Sequence, residues 1–348
     1  MHDTRKKKVP PERYVKPDDI LINSTGAGTA GRIAQIEDVP SATTIDGHMI
    51  LIRSNGKVTQ KFLGYALKAH QWEVLQLDEG STGQTELNRD RLLDEIMINY
   101  PVSLDEQNAI VGTLESIDRK LIVNEQLNDN LEQQAQSYFQ ELFVDNASPE
   151  WTTGTISDLG TVVGGSTPSK AKPEYYTESG IAWITPKDLS INKSKFVSHG
   201  ENDITELGLR NSSASLMPEG TVLFSSRAPI GYIAIAAGEV TTNQGFKSVV
   251  PKPEIGTPFV YFFLKNTLPV IEGMASGSTF KEVSGSTMKN VSAVIPDAET
   301  LAKFSDFCAP IFAQQRILEE QNQSLATLRD NLLPKLMSGE IDVSAVQL

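Results

Sequence analysis

The sequence predicts an α+β protein: two β-rich units, each followed by a long helix, with the two helices paired as a coiled coil. Three observations point there. A helical run without Pro or Gly after Gly112 extends from Ser103 to Phe143, a second extends from Thr300 to Met337, and the β-rich stretches ahead of them are diverged copies of each other. The 348 residues then divide into a first β-rich unit (1–102), a first helix (103–145), a second β-rich unit (146–299) and a second helix with its tail (300–348).

In the first run Ile110, Leu114, Ile117, Leu121, Leu131, Ala135, Tyr138 and Leu142 step by threes and fours, the spacing of one helix face. So narrow a stripe is a seam between two helices. Asn124 and Asn128 fall in phase with it, where a buried amide lowers stability but fixes register. Ser103 followed by Glu106 is a capping-box pattern at the helix start. The second run repeats the rhythm in Phe304, Cys308, Ile311, Leu318, Leu325, Leu332 and Leu336, with Asn322 and Arg329 in polar seam positions.

The duplication is read from an ordered series of matches. Pro17–Ser24 aligns with Pro218–Ser225, Gly31–Ala34 with Gly231–Ala234, and Asp46–His48 with Gln244–Phe246. Phe62–Lys68 then aligns with Phe259–Lys265, Gly80–Thr82 with Gly277–Thr279, and Pro101 with Pro296. Each copy reads as a turn into an apolar strand, a glycine-containing loop, a second strand (Arg32–Ile36 or Tyr232–Ala237) and a third (Met49–Arg53 or Ser248–Pro251). A short helix (Gln60–Ala69 or Pro258–Leu264) follows, then a polar loop and a last strand into the long helix. The second copy carries a long stretch from Trp151 ahead of Pro218, whereas only Met1–Lys16 precedes Pro17, so the first unit is expected to be shortened at its front.

Bulk properties exclude several classes. A net charge of −13 argues against a free-standing, non-specific nucleic-acid binder, though not against a specific reader that shares phosphate contacts with a basic partner. The single cysteine, Cys308, rules out a disulfide framework and fits a reducing cytoplasm. No apolar run approaches the ~20 residues of a membrane span, and the basic start MHDTRKKKVPPER is not followed by the hydrophobic region of a signal peptide.

Gly26, Gly28 and Gly31 fit a GxGxxG pattern after a strand, but a dinucleotide site needs a helix next, and Arg32–Ile36 reads as a strand. A tight inter-strand turn is the simpler reading. The four histidines, His2, His48, His70 and His199, have no Cys or carboxylate at ligand spacing, and no catalytic signature or metal motif is found. What remains is polar loops flanking short strands: Ser166–Lys170, Lys187-Asp188, Ser225–Arg227, Thr242–Gln244, Ser276–Lys281 and Ser284–Lys289. These residue types suit phosphate and base-edge contacts, with Arg or Lys toward guanine and Asn or Gln toward adenine.

The ordered set GGSTPSK (Gly164–Lys170), WITPKDL (Trp183–Leu189), FSSRAPIG (Phe224–Gly231), TNQGF (Thr242–Phe246), GSTFKEV (Gly277–Val283) and Ser324–Ile341 resembles the specificity subunit of Type I restriction-modification enzymes. In the first half Asp19–Arg32 and Asp46–Arg53 resemble it too, so the likeness covers nearly the whole chain. It implies two target-recognition domains, each reading half of a split site in double-stranded DNA, and two helices that pack antiparallel as a spacer. It also implies a non-catalytic role: two methylation subunits, which bring S-adenosylmethionine, dock on the chain and link it to motor-nuclease subunits. The chain itself is expected to bind no cofactor. Carried onto this sequence, the DNA contacts fall at Ser166, Thr167, Ser169, Lys170, Lys187, Arg227, Asn243, Gln244 and Lys281, with Ser24, Thr25 and Gln84 in the first unit. The TPSK-type and ITPKDL-type segments have no equivalent before Pro17, which leaves a second reading open: a truncated or decoy assembly protein that binds methylation subunits without full DNA recognition.

Overall fold

The computed structural model describes residues 9–79, 86–277 and 281–346. The chain forms two compact units, one made of the residues up to Val123 together with those from Asn322 onward, the other of Asn124–Gln321. The division passes through the middle of both long helices.

The first unit contains β1 (Ile20–Asn23), β2 (Ile33–Gln35), β3 (Met49–Ile52), α1 (Gln60–Ala69), α2 (Gln71–Leu75), the paired strands β4 (Asp78–Glu79) and β5 (Glu86–Leu87), α3 (Arg89–Glu95) and the first half of α4 (Leu104–Gln140). The second unit continues with β6 (Thr152–Thr155), α5 (Ile156–Leu159), β7 (Gly160–Gly164), β8 (Tyr176–Thr177), β9 (Ile181–Ile184), α6 (Pro186–Ile191), β10 (Phe196–Val197), β11 (Asn202–Ile204) and α7 (Glu206–Arg210). It is completed by β12 (Val222–Phe224), β13 (Ile233–Ala236), β14 (Thr241–Thr242), β15 (Lys247–Pro251), α8 (Thr257–Gly273), α9 (Gly285–Lys289), β16 (Ser292–Ile295) and the first half of α10 (Ala298–Ser338).

In the first unit β1 is the middle strand of an antiparallel sheet ordered β2-β1-β3. The GAGTAG loop is the β1–β2 connection. Gly26, Gly28 and Gly31 all have positive φ there, a backbone region open chiefly to glycine, which accounts for the pattern without a nucleotide. Asp19 is buried at the start of β1 and takes two bonds from Arg53, at 2.7 and 2.6 Å, and one from the Lys16 N–H. Burial alone would raise its pKa; these bonds hold it below the usual carboxylate value. The helical part of the core joins Phe62, Tyr65 and Ala66 of α1, Ile110, Val111 and Leu114 of α4, and Leu336 and Met337 of α10. Asp118 of α4 accepts from the Tyr65 hydroxyl at 2.7 Å and from Arg329 at 3.0 Å, and Asn322 Nδ2 reaches the Leu121 carbonyl at 3.4 Å. Rising numbers on α4 meet falling numbers on α10: the pair is antiparallel.

The second unit has a five-stranded sheet ordered β10-β13-β12-β15-β7 and a four-stranded sheet ordered β14-β9-β11-β8. Its β13-β12-β15 portion repeats the β2-β1-β3 arrangement, as the duplication predicts. Alternation along β12 decides the layering. Val222 and Phe224 enter the core shared with α8, while Leu223 enters the core that also holds Ala182 and Ile184 of β9. The first core continues into Ala135 and Phe139 of α4 and Leu301, Phe304, Cys308 and Ile311 of α10, with the Phe139 and Phe304 rings 5.8 Å apart. Burial raises the Cys308 thiol to about 12, so it is a packing residue. Here too the helices run antiparallel, with Asn124 Nδ2 3.4 Å from Gln321 Oε1 and Gln315 Nε2 3.2 Å from the Asn128 carbonyl.

Lys195, just before β10, ties the sheet to both helices. Its side chain is 5% exposed, and the ammonium pairs with Glu132 of α4 and lies 2.5 Å from Gln315 Oε1 of α10. Glu319 accepts the main-chain N–H groups of Lys195 and Phe196 at 2.8 and 3.0 Å. Burial lowers the Lys195 pKa and raises that of Glu319; it would raise Glu132 as well, but Lys195 and Lys265 hold Glu132 below the ordinary value.

Two expectations need correction. The helix expected over Pro258–Leu264 runs on to Gly273 through Pro269, because Ile271 continues its buried face. The last strand forms only in the second unit, as β16 paired with β6; residues 96–102 have no strand partner among the described residues. Among those residues the first unit also lacks a counterpart of the four-stranded sheet. No helix among the described residues is long and apolar enough to cross a membrane.

Candidate nucleic-acid interface

Four of the six polar loops singled out in the second copy meet at one open cleft of about 710 Å³. Thr167, Lys170, Lys187, Arg227, Asn243 and Gln244 all line it, beside Trp183, Pro186, Glu201 and Asn202. Four sequence segments, far apart in the chain, supply them.

Each segment is held by local chemistry. Gly165 lies so close to the Asn243 carbonyl that a Cβ there would come within 1.9 Å of it, which brings the turn after β7 against the TNQ loop. That turn is pinned by two aromatic donors. Trp183 Nε1 bonds the Ser166 carbonyl at 3.0 Å and the Tyr176 hydroxyl bonds the Pro168 carbonyl at 2.6 Å. The sequence Thr185-Pro186-Lys187-Asp188 opens α6 with a reciprocal capping box and Pro in the first turn, which fixes Lys187 on the cleft wall. Asp188, nearly buried, also accepts the Glu201 N–H at 2.8 Å and so draws the far side of the cleft in. Ser225 and Ser226 are buried: the first bridges the Pro229 carbonyl and the Tyr232 N–H, the second donates to the Gly245 carbonyl at 3.1 Å. Arg227 is thereby set at the rim of a fixed strand end.

Two of the cleft's cations are paired in advance. Lys187 Nζ lies 2.5 Å from Glu201 Oε2, which raises the lysine pKa, and Arg227 Nη1 lies 3.1 Å from Glu282 Oε2. The Thr167 hydroxyl bonds the Gln244 side-chain oxygen, and Asn243 Oδ1 accepts the Gly245 N–H at 2.8 Å. Arg and Lys beside Asn and Gln on an open concave surface can bond phosphate oxygens and base edges. Among the described residues no group of three or more His, Cys, Asp or Glu is placed to hold a metal ion.

Other expected residues stand differently. Ser166 and Ser169 belong to the same turn, where the Ser169 carbonyl accepts the Lys172 N–H. Lys281 is exposed and adjoins Glu282. In the first unit Ser24 is buried at 2% exposure in the sheet, in the place Ser225 occupies in the second. The Thr25 hydroxyl bonds His48 Nδ1 at 2.9 Å. Gln84 lies outside the described residues, as do Ser278 and Thr279. Sequence reasoning missed Glu201, Glu282 and Lys247, whose partners are distant in the chain; of these only Glu282 sits in a quoted motif, GSTFKEV.

The family described as the Type I restriction modification DNA specificity domain matches residues 10–133 and 149–328. The chain is 38% identical over 191 residues to the Type I restriction enzyme MjaIX specificity subunit of Methanocaldococcus jannaschii, covering 52% of this chain and 44% of that protein. It is 27% identical over 194 residues to the HindI specificity subunit of Haemophilus influenzae, covering 55% and 42% respectively. The matched stretch thus spans less than half the length of either relative. The crystal structure of the Type I restriction-modification S subunit from M. genitalium shares the fold at a TM-score of 0.58 and 18% identity, over 94% of this chain and 84% of that one. Matched over both of its β-rich units, the chain belongs to the Type I restriction modification DNA specificity domain family.

Proposed function

We propose that this chain is the DNA-sequence-recognition subunit of a Type I restriction-modification complex and is not itself an enzyme. The convergence of Thr167, Lys170, Lys187, Arg227, Asn243 and Gln244 on one cleft carries the reading. The second unit reads one half of a split site in double-stranded DNA with these side chains, Ser166, Ser169 and Lys281 adding backbone contacts. Partner subunits act in the cytoplasm on the sequence so chosen. Two methylation subunits bind S-adenosylmethionine and modify adenine, and motor-nuclease subunits join through them.

A second reading, assembly without full DNA recognition, is favoured by one observation: the first unit has a three-stranded sheet and, among the described residues, no counterpart of the sheet that builds the cleft. One experiment separates the two. The chain is co-expressed with a methylation subunit and the DNA is sequenced for modified adenines. A split motif with two defined halves is expected if both units read. A single half-site, or a palindrome from two chains, leaves recognition to the second unit. A stable complex with no methylation overturns the recognition role in favour of the assembly protein.

A further inference from the structure

One carboxylate beside the cleft does something that phosphate binding would not ask for. Glu282 Oε2 lies 3.1 Å from Arg227 Nη1, and its Oε1 lies 3.5 Å from Lys247 Nζ. Main chain fixes it from both sides. Its N–H bonds the Ser276 carbonyl at 2.9 Å, its carbonyl accepts the Ser276 N–H at 3.1 Å, and the next N–H, from buried Val283, bonds the Ser226 carbonyl at 3.0 Å. Ser226 immediately precedes Arg227, so the acid and the base are mounted on the same hydrogen-bonded frame. Lys247, 16% exposed, is held there too, near the Gln244 carbonyl at 3.4 Å.

The contrast with Glu201 is informative. The Lys187–Glu201 pair stands in solvent, with 62% and 60% of the side chains exposed, and such pairs exchange readily for a phosphate oxygen. Glu282 is 34% exposed, springs from a backbone held on both sides, and touches two cations rather than one. A cation meant only to attract phosphate is weakened by a fixed carboxylate. A cation meant to read a base is improved by one, because a guanidinium has five donors in a rigid fork, and committing one to Glu282 orients the rest.

We propose that Glu282 is a positioning residue that determines specificity: it aims the Arg227 fork at a base edge and cancels charge that would otherwise hold any DNA. The inference rests on the cleft being the DNA interface. Its test uses the full-length chain co-expressed with a methylation subunit, probed with a pool of random-sequence DNA duplexes. Bound sequences are selected, and affinity for the unselected pool is followed against salt.

Glu282→Gln is expected to bind the pool several-fold more tightly, with a log–log salt slope steeper by about 0.9, the signature of one added phosphate contact. Its selected motif should lose the same position that Arg227→Lys loses. Glu282→Asp keeps the charge but withdraws it by one methylene, so it should retain the parental salt slope and still lose that position; it carries the test if the glutamine variant fails to fold. A Glu282→Gln protein that melts like the parent and keeps both the parental slope and the parental motif overturns the proposal. The cleft is tested separately by Lys170→Glu and Gln244→Glu. If these lose DNA while Glu282→Gln changes nothing, only the role of Glu282 falls; if these bind like the parent, the interface reading falls and takes the inference with it.

Discussion

At the scale of single residues, the cleft and the Lys195 junction use charge in opposite ways. Arg227 keeps 40% of its side chain exposed, available to a ligand. Arg227→Ala should weaken specific binding by the assembled complex by about 1–3 kcal/mol, measured as the ratio of target to random-sequence affinity; an unchanged ratio would remove Arg227 from the readout. Lys195 is buried against Phe312, 4.2 Å from the ring centre, and its ammonium is consumed by Glu132 and Gln315. Removing one partner of such a pair strands the other, so Lys195→Met should cost about 3–5 kcal/mol in denaturant, followed by the fluorescence of nearly buried Trp183. A cost within experimental error would mean the junction is not a structural tie. Arg227 was legible because it stands in a quoted motif among turn residues. Lys195 was not: in the run Ile191-Asn192-Lys193-Ser194-Lys195 it looks like any solvated lysine, and only the fold reveals its partners on two distant helices. Gln315 escaped notice for the same reason, a polar residue at a seam position whose purpose lies across the junction.

At the scale of elements, the long helices were the most readable part of the chain, since their 3–4 rhythm needs no tertiary information. Buried Leu114 and Ile117 follow it, as do Leu318 and Leu336, while Leu121, Leu131, Leu325 and Leu332 are half-buried. Leu114→Asp places an unpaired charge against Phe62 and Leu336 and should cost several kcal/mol, on the order of 3–5; retention of the parental melting temperature would refute the seam. The start of α10 shows a second device. Asp297 accepts from the Thr300 N–H at 2.9 Å, from the Thr300 hydroxyl at 2.8 Å and from Trp151 Nε1 at 2.9 Å, which lowers its pKa to about 2. Because the folded value lies below the unfolded one, this cap contributes fully above about pH 4 and is lost as pH falls toward 2. Asp297→Asn should make the fall in melting temperature between about pH 4 and pH 2 smaller than the parent's, the remainder coming from other depressed carboxylates such as Asp19. The failed last strand of the first unit marks where element prediction ends: the sequence after Ile96 has strand character, but a strand exists only where a partner edge is offered.

At the scale of the whole molecule, the duplication gave the plan, and the pairing of the copies' sheets follows it. What the repeat could not convey is how the copies share their helices. The second unit is one uninterrupted stretch, Asn124–Gln321, whereas the first is made of two pieces, with Leu336 and Met337 closing a core begun by Phe62 and Ile110. Ending the chain after Gln321 should therefore leave the second unit's cooperative transition in place while the first becomes protease-sensitive; loss of both transitions would show that neither unit stands alone. During synthesis, domains generally fold in the order they emerge. Here the core begun by Phe62 and Ile110 cannot close until Leu336 and Met337 have left the ribosome, by which time all of Asn124–Gln321 has been made.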